Sequence, residues 1–177
     1  MDNRVICVVG PTATGKTKMG VALARRFGGE VVSVDSMQIY RGMTIGNAAP
    51  TAEETEGIPH HMVAVADPAG SWSVARFTEQ ADRCIQDILC RGRRPVLVGG
   101  TGLYLDSILS GRTFAAGHSG GEVRRALQTE LAQGGIEPLY RQLQAIDPTA
   151  AARLHLSDEK RILRALEVFR ETGETIT

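Results

Sequence analysis

A glycine-rich segment near the amino terminus has the residue types and spacing of a phosphate-binding loop. It reads Gly10-Pro11-Thr12-Ala13-Thr14-Gly15-Lys16-Thr17. Glycines let such a backbone curl so that successive N–H groups point into one concavity, and the following helix adds its positive amino-terminal end. Lys16 supplies a charge for the outer phosphates, and the Thr17 hydroxyl is a ligand for Mg²⁺. The segment predicts a di- or triphosphate site without saying which bond is broken.

Asp35 is the second candidate for chemistry, because it directly follows an apolar run. Ligands of open parallel sheets bind beyond the carboxyl ends of the strands, so Asp35 should face the same crevice as the phosphate loop. Its carboxylate could be a metal ligand or a general base. The alternative is that Asp35 only caps a turn where the strand ends, a position in which Asp is enriched.

A further apolar run ends in Gly99, Gly100 and Thr101. In most phosphate-loop NTPases the corresponding strand ends in an Asp that binds Mg²⁺. Two glycines at this position argue against a conventional ATP-hydrolysing motor. We expect the three strand ends to converge on a single site.

The hydrophobic pattern predicts the frame that positions these residues. It indicates strands at 5–9, 30–34 and 95–98, and helices at 17–27, at 74–88 and in a short stretch ending at 109. In the first helix, Met19, Leu23 and Phe27 form the predicted apolar face. No strand pattern follows Val98, and residues 43–70 are predicted to be a long excursion with little regular structure. The fold class is therefore α/β, a phosphate-loop NTPase-like parallel sheet flanked by helices, followed by a helical segment.

The character of the sequence changes at residues 113–121, which are small and polar. Helices are predicted beyond them at 122–133, 137–146, 148–154 and 159–172. Asp158 stands at the N-cap of the last helix, and Gly173 stands where that helix should end. We predict two domains, a phosphate-loop catalytic core at 1–112 and a helical segment at 113–177.

Composition narrows the class of protein. The chain has 177 residues, and 42% of them are hydrophobic, which is enough to fill a core. Because 20 Lys and Arg balance 20 Asp and Glu, a polyanion must be held by local patches. Cys7, Cys84 and Cys90 form no C-x-x-C pair, which fits a reducing compartment. With no membrane-length apolar run and no room for a signal peptide before the first strand, we expect a cytoplasmic protein.

Four ordered motifs resemble the tRNA dimethylallyltransferase family. After the phosphate loop they are Asp35-Ser36-Met37-Gln38-Ile39-Tyr40, Gly57-Ile58-Pro59-His60-His61 and Gly99-Gly100-Thr101-Gly102-Leu103-Tyr104. Further resemblance at 144–148 and 161–168 extends it over nearly the whole chain. Members of this family transfer a dimethylallyl group from dimethylallyl diphosphate to N6 of an adenosine beside the tRNA anticodon, and they release diphosphate.

The resemblance implies a role for each candidate residue. The loop from Gly10 to Thr17 would hold the diphosphate leaving group, with Lys16 and a Mg²⁺ cofactor at Thr17 neutralising its charge. Asp35 would accept the proton of the adenine amine once that base is flipped out of its stack, and Thr101 would lie beside it. The residues that resemble tRNA contacts are Asp35, Ser36, Met37, Gln38, Thr101, Arg124, Lys160, Arg161, Ile162, Leu163 and Arg164.

The basic stretch of the last helix has a plainer interpretation. Lys160 and Arg164 share one face of the predicted helix, while Ile162, Leu163 and Leu166 turn inward. Without the family resemblance, this pattern is more typical of a solvated helix face than of an RNA contact.

Three features depart from the family pattern. Ala49 stands in Gly46-Asn47-Ala48-Ala49-Pro50 where the family usually has a lysine, which removes a potential phosphate or RNA contact. Residues 113–121 lack the proline-rich sequence expected between the core and the helical segment. Family members also continue well past Thr177, so we expect the amino-terminal portion of a longer enzyme, or a truncated form that lacks activity.

Other functions remain open beside prenyl transfer to tRNA. Nucleotide and small-molecule kinases share the phosphate loop and use Lys16 and Thr17 in the same way. A transferase acting on free AMP would use the same donor, and a fragment could bind nucleotide or RNA without turnover. The basic helical segment favours RNA over free AMP. The expected partners are the tRNA anticodon stem-loop and dimethylallyl diphosphate. We expect the protein to be a monomer that does not bind a membrane.

Overall fold

The computed structural model describes residues 4–43, 46–70, 72–111 and 121–177. The chain divides into two compact units, residues 1–113 and 114–177. The first unit contains the strands, and the second contains helices. Residues 113–120 of the expected polar connection lie outside the described residues. No helix in the described ranges is long and apolar enough to cross a bilayer.

A four-stranded sheet forms the centre of the first unit. Its strands are β1 (Ile6–Val9), β2 (Gly29–Val34), β3 (His60–His61) and β4 (Arg94–Gly99). Their order is β1-β4-β2-β3, and every pairing is parallel. In register, Val98 of β4 lies between Val8 of β1 and Ser33 of β2. Because neighbouring parallel strands end at one edge, the segments after β1, β2 and β4 meet there. The predicted fold class is confirmed.

The helices of this unit pack around the sheet. They are α1 (Lys16–Phe27), α2 (Ala52–Thr55), α3 (Val74–Cys90) and α4 (Gly102–Leu109). The predicted amphipathic helix α3 is confirmed, since it buries Phe77, Ala81 and Ile88 among others. The ring of Phe77 stacks on Tyr104 of α4, with 4.0 Å between the ring centroids. This contact fixes α4, and with it the segment that follows β4.

Helix α1 packs on the sheet through small residues. Its buried residues are Gly20, Val21 and Ala24. A Cβ at Gly20 would lie 2.4 Å from Cγ2 of Val98, so glycine permits a close approach to β4. Met19 and Phe27 are 55% and 52% exposed, so two of the three residues of the predicted apolar face do not pack on the sheet. The spacing of large apolar residues predicts a packing face made of those residues. It does not reveal a helix that packs on the sheet through small residues.

The excursion at 43–70 contains two short elements. Helix α2 begins with a capping box, in which Thr51 and Glu54 exchange side chain to backbone hydrogen bonds. Strand β3 pairs with Val31 and Val32 of β2 and becomes the fourth strand of the sheet. These elements have four and two residues, so the expectation of little regular structure is confirmed, although the sequence did not indicate β3. Two residues are too short a stretch for the alternation of a strand to be visible.

Glu30, in β2, is buried and organises an ionic cluster. Its side chain is 2% exposed, and both of its carboxylate oxygens accept hydrogen bonds from Arg91. His61 Nε2 lies 2.7 Å from Oε2, and Arg93 Nη1 lies 3.3 Å from Oε1. The hydrogen bonds from Arg91 lower the pKa of Glu30 to about 2, although burial alone would raise it. The cluster joins β2, β3 and the carboxyl end of α3.

The second unit is built from four described helices. They are α5 (Glu122–Gly134), α6 (Ile136–Ile146), α7 (Pro148–Ala151) and α8 (Glu159–Thr172). The predicted helices are confirmed, except that α7 ends at Ala151, before the predicted residue 154. Their core includes Leu127 of α5, Leu143 of α6 and Leu166 of α8. Asp158 occupies the N-cap of α8, but its carboxylate accepts from the backbone N–H of His155 rather than from α8.

Candidate functional site

The phosphate loop connects β1 to α1. No side chain caps the amino terminus of α1 in the described part of the chain, so the first N–H groups of this helix can still bind an anion. Inside the loop, the Thr14 hydroxyl donates to the Pro11 carbonyl over 2.9 Å, and Lys16 Nζ donates to the same oxygen. Lys16 therefore folds back over the loop. In the presence of a ligand, phosphate oxygens would replace the Pro11 carbonyl as the acceptor of its hydrogen bond.

A cavity of about 400 Å³ opens on this loop. Its lining includes the loop residues Thr12, Ala13, Thr14, Gly15, Lys16 and Thr17, and Asp35, Met37 and Gln38 from the segment after β2. We call it the loop cavity. Its volume lies within the range of about 300–1,000 Å³ that is usual for small-molecule sites. The structure thus brings most of the predicted phosphate loop and the predicted base to one cavity.

The Asp35 carboxylate has one oxygen engaged. Oδ1 accepts from the backbone N–H groups of Met37, over 2.8 Å, and of Gln38, over 3.4 Å. Among the described residues no group donates to Oδ2, and Asp35 lines the loop cavity. The turn-capping interpretation is therefore correct for one oxygen. The other oxygen is left for a proton or a cation, so the two interpretations of this residue are compatible.

Thr101 connects the end of β4 to the turn after β2. Its Oγ1 accepts from the Ser36 backbone N–H over 3.0 Å, and its own N–H donates to the Val34 carbonyl over 3.2 Å. A Cβ at Gly99 would lie 2.0 Å from that same carbonyl oxygen, so a carboxylate residue does not fit at the end of β4. The structure gives a packing reason for the glycine that the sequence shows.

Thr101 lines a second cavity of about 320 Å³, together with Gly10 and Pro11. Gly99 lines both cavities. The three strand ends therefore lie around two adjoining cavities that share Gly99. The loop cavity holds Lys16, Thr17 and Asp35, and the second cavity is mostly backbone, apolar carbon and the Thr101 hydroxyl.

Residues 46–50, where the sequence departs from the family pattern, form a wall of the loop cavity. The Gln38 side-chain amide donates to the Ala48 carbonyl over 2.9 Å, and the Asn47 amide donates to the Met37 carbonyl over 3.4 Å. Ala49 lines the cavity, so the position where the family usually has a lysine faces the site without a charge. The length of the excursion and its resemblance to the family at Gly46–Pro50 both indicated that it carries function.

The oxygen donors of the loop cavity suit Mg²⁺. This ion typically takes one or two protein oxygens and completes its shell with substrate phosphates and water. The Thr17 hydroxyl and the Asp35 carboxylate both line the cavity. In the described part of the chain no cluster of three or more His, Cys, Asp or Glu side chains could hold a metal by itself. The donor set therefore fits an ion that binds together with phosphates.

His60 is a further residue of the loop cavity. Its Nδ1–H donates to the Ile58 carbonyl over 2.8 Å, and its side chain contributes to the lining. The next residue, His61, instead contacts Glu30, because successive side chains of a strand point to opposite faces. Both residues lie in the excursion at 43–70, where the sequence predicts little regular structure, and they form the two-residue strand β3.

The predicted RNA-contacting stretch of α8 divides into core and surface. Ile162 and Leu163 are buried in the helical core, so their side chains offer no surface to a partner. Lys160 and Arg161 are exposed. The prediction of an RNA contact on this helix therefore rests on its cationic residues.

Arg124 of α5 and Arg164 of α8 converge on one carboxylate. Nη1 of Arg164 lies 2.8 Å from Oε2 of Glu167, and Nη1 of Arg124 lies 3.5 Å from the same oxygen. The Glu167 side chain is 2% exposed, whereas the two arginines are 21% and 38% exposed. Sequence reasoning identified both arginines and missed Glu167, because a glutamate on a charged helix is normally part of its solvated face.

Comparison with known sequences identifies related proteins. The family model described as IPP transferase matches residues 38–177, and the one described as isopentenyl transferase matches residues 3–64. The chain is 48% identical to a tRNA dimethylallyltransferase of Geobacillus kaustophilus, over 98% of this chain and 55% of the relative. It is 51% identical to a tRNA dimethylallyltransferase of Heliobacterium modesticaldum, over 94% of this chain and 52% of the relative. The chain spans about half the length of these curated relatives.

Solved structures show the same relationship. The crystal structure of a tRNA isopentenylpyrophosphate transferase from Bacillus halodurans matches with a TM-score of 0.64 and 44% identity, over 98% of this chain and 57% of that one. Crystallographic snapshots of a eukaryotic dimethylallyltransferase acting on tRNA match with a TM-score of 0.84 and 32% identity. That match covers 97% of this chain and 42% of the other.

Proposed function

The chain belongs to the IPP transferase family, and on that premise we propose that it carries the donor site of a tRNA prenyltransferase. The reaction moves a dimethylallyl group from dimethylallyl diphosphate to N6 of an adenosine next to the tRNA anticodon. The observation that carries the proposal is the loop cavity, in which the phosphate loop and the half-engaged carboxylate of Asp35 line one space. A donor diphosphate and an accepting base are what prenyl transfer to an amine requires.

The phosphate loop would stabilise the leaving group. As the bond between the allylic carbon and the bridging oxygen breaks, negative charge develops on the departing diphosphate. The free N–H groups at the start of α1 and the Lys16 ammonium, released from the Pro11 carbonyl, would stabilise that charge. Mg²⁺ bound with the donor supplies further charge neutralisation, and the Thr17 hydroxyl is the residue that would hold it.

Asp35 would act as the general base. The adenine amine is conjugated with its ring and weakly nucleophilic, so its proton must be removed as the new carbon–nitrogen bond forms. The proton goes to Oδ2 of Asp35, and the electron pair of the broken carbon–oxygen bond leaves with diphosphate. Met37 and Gln38 hold Oδ1 through their backbone N–H groups, which keeps Oδ2 in a fixed direction.

RNA would be held by local cationic patches. The chain carries no net charge, so affinity for a polyanion must come from grouped side chains such as Lys160, Arg161 and Arg164 together with Arg124. An adenine inside a stacked loop cannot reach a cavity, so the target base must be flipped out. Ser36 and Thr101 would help to fix the turn that meets this base.

Calorimetric titration with dimethylallyl diphosphate and with ATP, each in the presence of Mg²⁺, tests the donor assignment. We expect the prenyl donor to bind at least tenfold more tightly than ATP. Lys16→Ala should weaken donor binding by about tenfold or more, because a charge-assisted contact to phosphate is lost. Lys18→Ala is the matched control, since Lys18 is an exposed neighbour on α1 outside both cavities.

Tighter binding of ATP, accompanied by transfer of its terminal phosphate to a small molecule, would identify a kinase instead. An equal loss of donor affinity in Lys16→Ala and Lys18→Ala would show that only general positive charge matters, and would remove the loop from the proposed site.

A further inference from the structure

We propose that Glu167 is a positioning residue that holds Arg124 and Arg164 as a paired binding site for one phosphate of an RNA backbone. The inference rests on the proposed function for the presence of RNA, and it adds the residue that organises the contact. Glu167 itself is buried and would not touch the RNA.

The first step is the shared acceptor. Both arginines approach the same oxygen, Oε2, at 2.8 Å for Arg164 and 3.5 Å for Arg124. Within the described ranges, Oε1 of Glu167 is buried and accepts no hydrogen bond. The buried negative charge is therefore compensated by these two guanidinium groups. Neither arginine can swing away without leaving that charge less compensated, so both are held although they are partly exposed.

The second step is the number of unused donors. A guanidinium carries five N–H groups in a planar fork, and each of these two arginines uses one nitrogen on Glu167. Within the described part of the chain, the remaining N–H groups of these two arginines are available for the bidentate contacts that arginine makes to phosphate. Two guanidinium groups so close together would repel each other, and the shared carboxylate offsets that repulsion. The cluster as a whole keeps one net positive charge.

The third step is a contrast inside the same unit. Arg170 donates to both oxygens of Glu130, over 2.6 Å and 2.9 Å, and also to the Gln142 side chain over 2.8 Å. That arginine is engaged on several sides by its neighbours, which is the geometry of a helix-to-helix fastening. In the Glu167 cluster two arginines share one carboxylate oxygen, so there are more N–H donors than acceptor atoms. Excess donors point to a ligand with acceptor oxygens.

The test compares the affinity of an anticodon stem-loop RNA for the unaltered chain, for Glu167→Gln and for Glu130→Gln, over a range of salt concentrations. Glu167→Gln makes the chain more positive by one charge, so charge alone predicts tighter binding. Positioning predicts the opposite, a loss of about tenfold, with the slope of log affinity against log salt reduced by about 1 because one phosphate contact is lost. Glu130→Gln, which adds the same charge, should show no such loss.

Binding of Glu167→Gln that equals or exceeds that of the unaltered chain overturns the inference and leaves the proposed function intact. An unaltered chain that binds no stem-loop RNA overturns both. If circular dichroism shows that Glu167→Gln does not fold, Arg124→Lys and Arg164→Lys decide the question, because lysine keeps the charge and loses the planar fork. Unchanged affinity in both lysine variants overturns the inference, and a loss of about tenfold in each supports it.

Discussion

The two ends of β2 carry two carboxylates whose surroundings differ. Glu30, near the start of the strand, is 2% exposed, and both of its oxygens accept hydrogen bonds. Asp35, directly after the strand, is partly exposed, and described residues donate hydrogen bonds to its Oδ1 alone. A carboxylate compensated on both oxygens can only fasten elements together. One that is half engaged remains able to accept a proton, so we propose that the amino end of the strand serves stability and its carboxyl end serves chemistry.

The largest expected effect is that of a substitution at Asp35 on the rate of prenyl transfer. Asparagine keeps the oxygen that caps the turn and removes the basic one, so Asp35→Asn should lower the rate of prenyl transfer by about 10³-fold, within the usual range for a general base. Thermal unfolding should stay close to that of the unaltered chain. Rates measured under single-turnover conditions check this expectation, with Asp106→Asn, at an exposed position of α4, as the control. A loss in both variants, or a lowered melting temperature in Asp35→Asn, would make the carboxylate structural.

Glu30→Gln should show the reverse profile. Removal of a buried charge that holds Arg91 and His61 should lower the free energy of unfolding by about 2 kcal/mol, below the usual range because the partners are exposed enough to regain water. The rate of transfer in the fraction that stays folded should be unchanged. Denaturant unfolding and a single-turnover rate, measured on the same sample, separate the two effects.

The pH dependence of Glu30 sharpens this prediction. Its pKa falls from an ordinary 4.5 to about 2 in the folded chain, so its contribution to stability is fully present above pH 4.5 and is lost as the pH falls toward 2. The difference in stability between the unaltered chain and Glu30→Gln should therefore be constant near neutrality and should shrink between these two values. A difference that grows on acidification would contradict the ionic account of this cluster.

Thr101→Val tests how the carboxyl end of the strand is held. Valine keeps the shape of threonine but leaves the Ser36 backbone N–H without its acceptor, which should reduce the rate by about tenfold through a looser turn. Thr101→Ser restores the hydroxyl and should recover most of the rate. Failure of serine to recover it would mean that the methyl group, and not the hydrogen bond, matters.

Gly20→Ala tests the packing of α1 against Val98 of β4, which lies opposite Ser33 near the end of β2. Helix propensity alone predicts a gain of about 1 kcal/mol for alanine. Overpacking against Val98 costs about 1–3 kcal/mol, so we expect a net loss of about 1 kcal/mol in denaturant unfolding. Met19→Ala on the exposed face should change stability by about 0.5 kcal/mol or less.

Long periodic elements could be predicted from the sequence, and elements fixed by tertiary contacts could not. The period of α3 and the apolar runs of β2 and β4 are local properties, and the structure has them where they were predicted. Strand β3 exists because β2 offers a free edge, which no window of the excursion records. The packing face of α1 depends on how closely Gly20 approaches Val98, a distance that only the folded chain defines.

The candidate site divides in the same way. The phosphate loop and Asp35 stand in the sequence as a motif and a strand end, and the structure brings them into one cavity. His60 and residues 46–50 reach that cavity through the path of the excursion, which carries no periodic signal. Glu167 is recognisable only once two arginines from different helices are seen to meet on it.

The most direct test of the account is the identity of the bond that is made. The chain would be incubated with anticodon stem-loop RNA, Mg²⁺ and dimethylallyl diphosphate labelled in its five-carbon group, and the digested nucleosides analysed by mass spectrometry. The account predicts labelled dimethylallyl on N6 of one adenosine, with release of an equal amount of diphosphate. RNA and donor that both bind and yield no N6 adduct, or a label found only on free AMP, would contradict it.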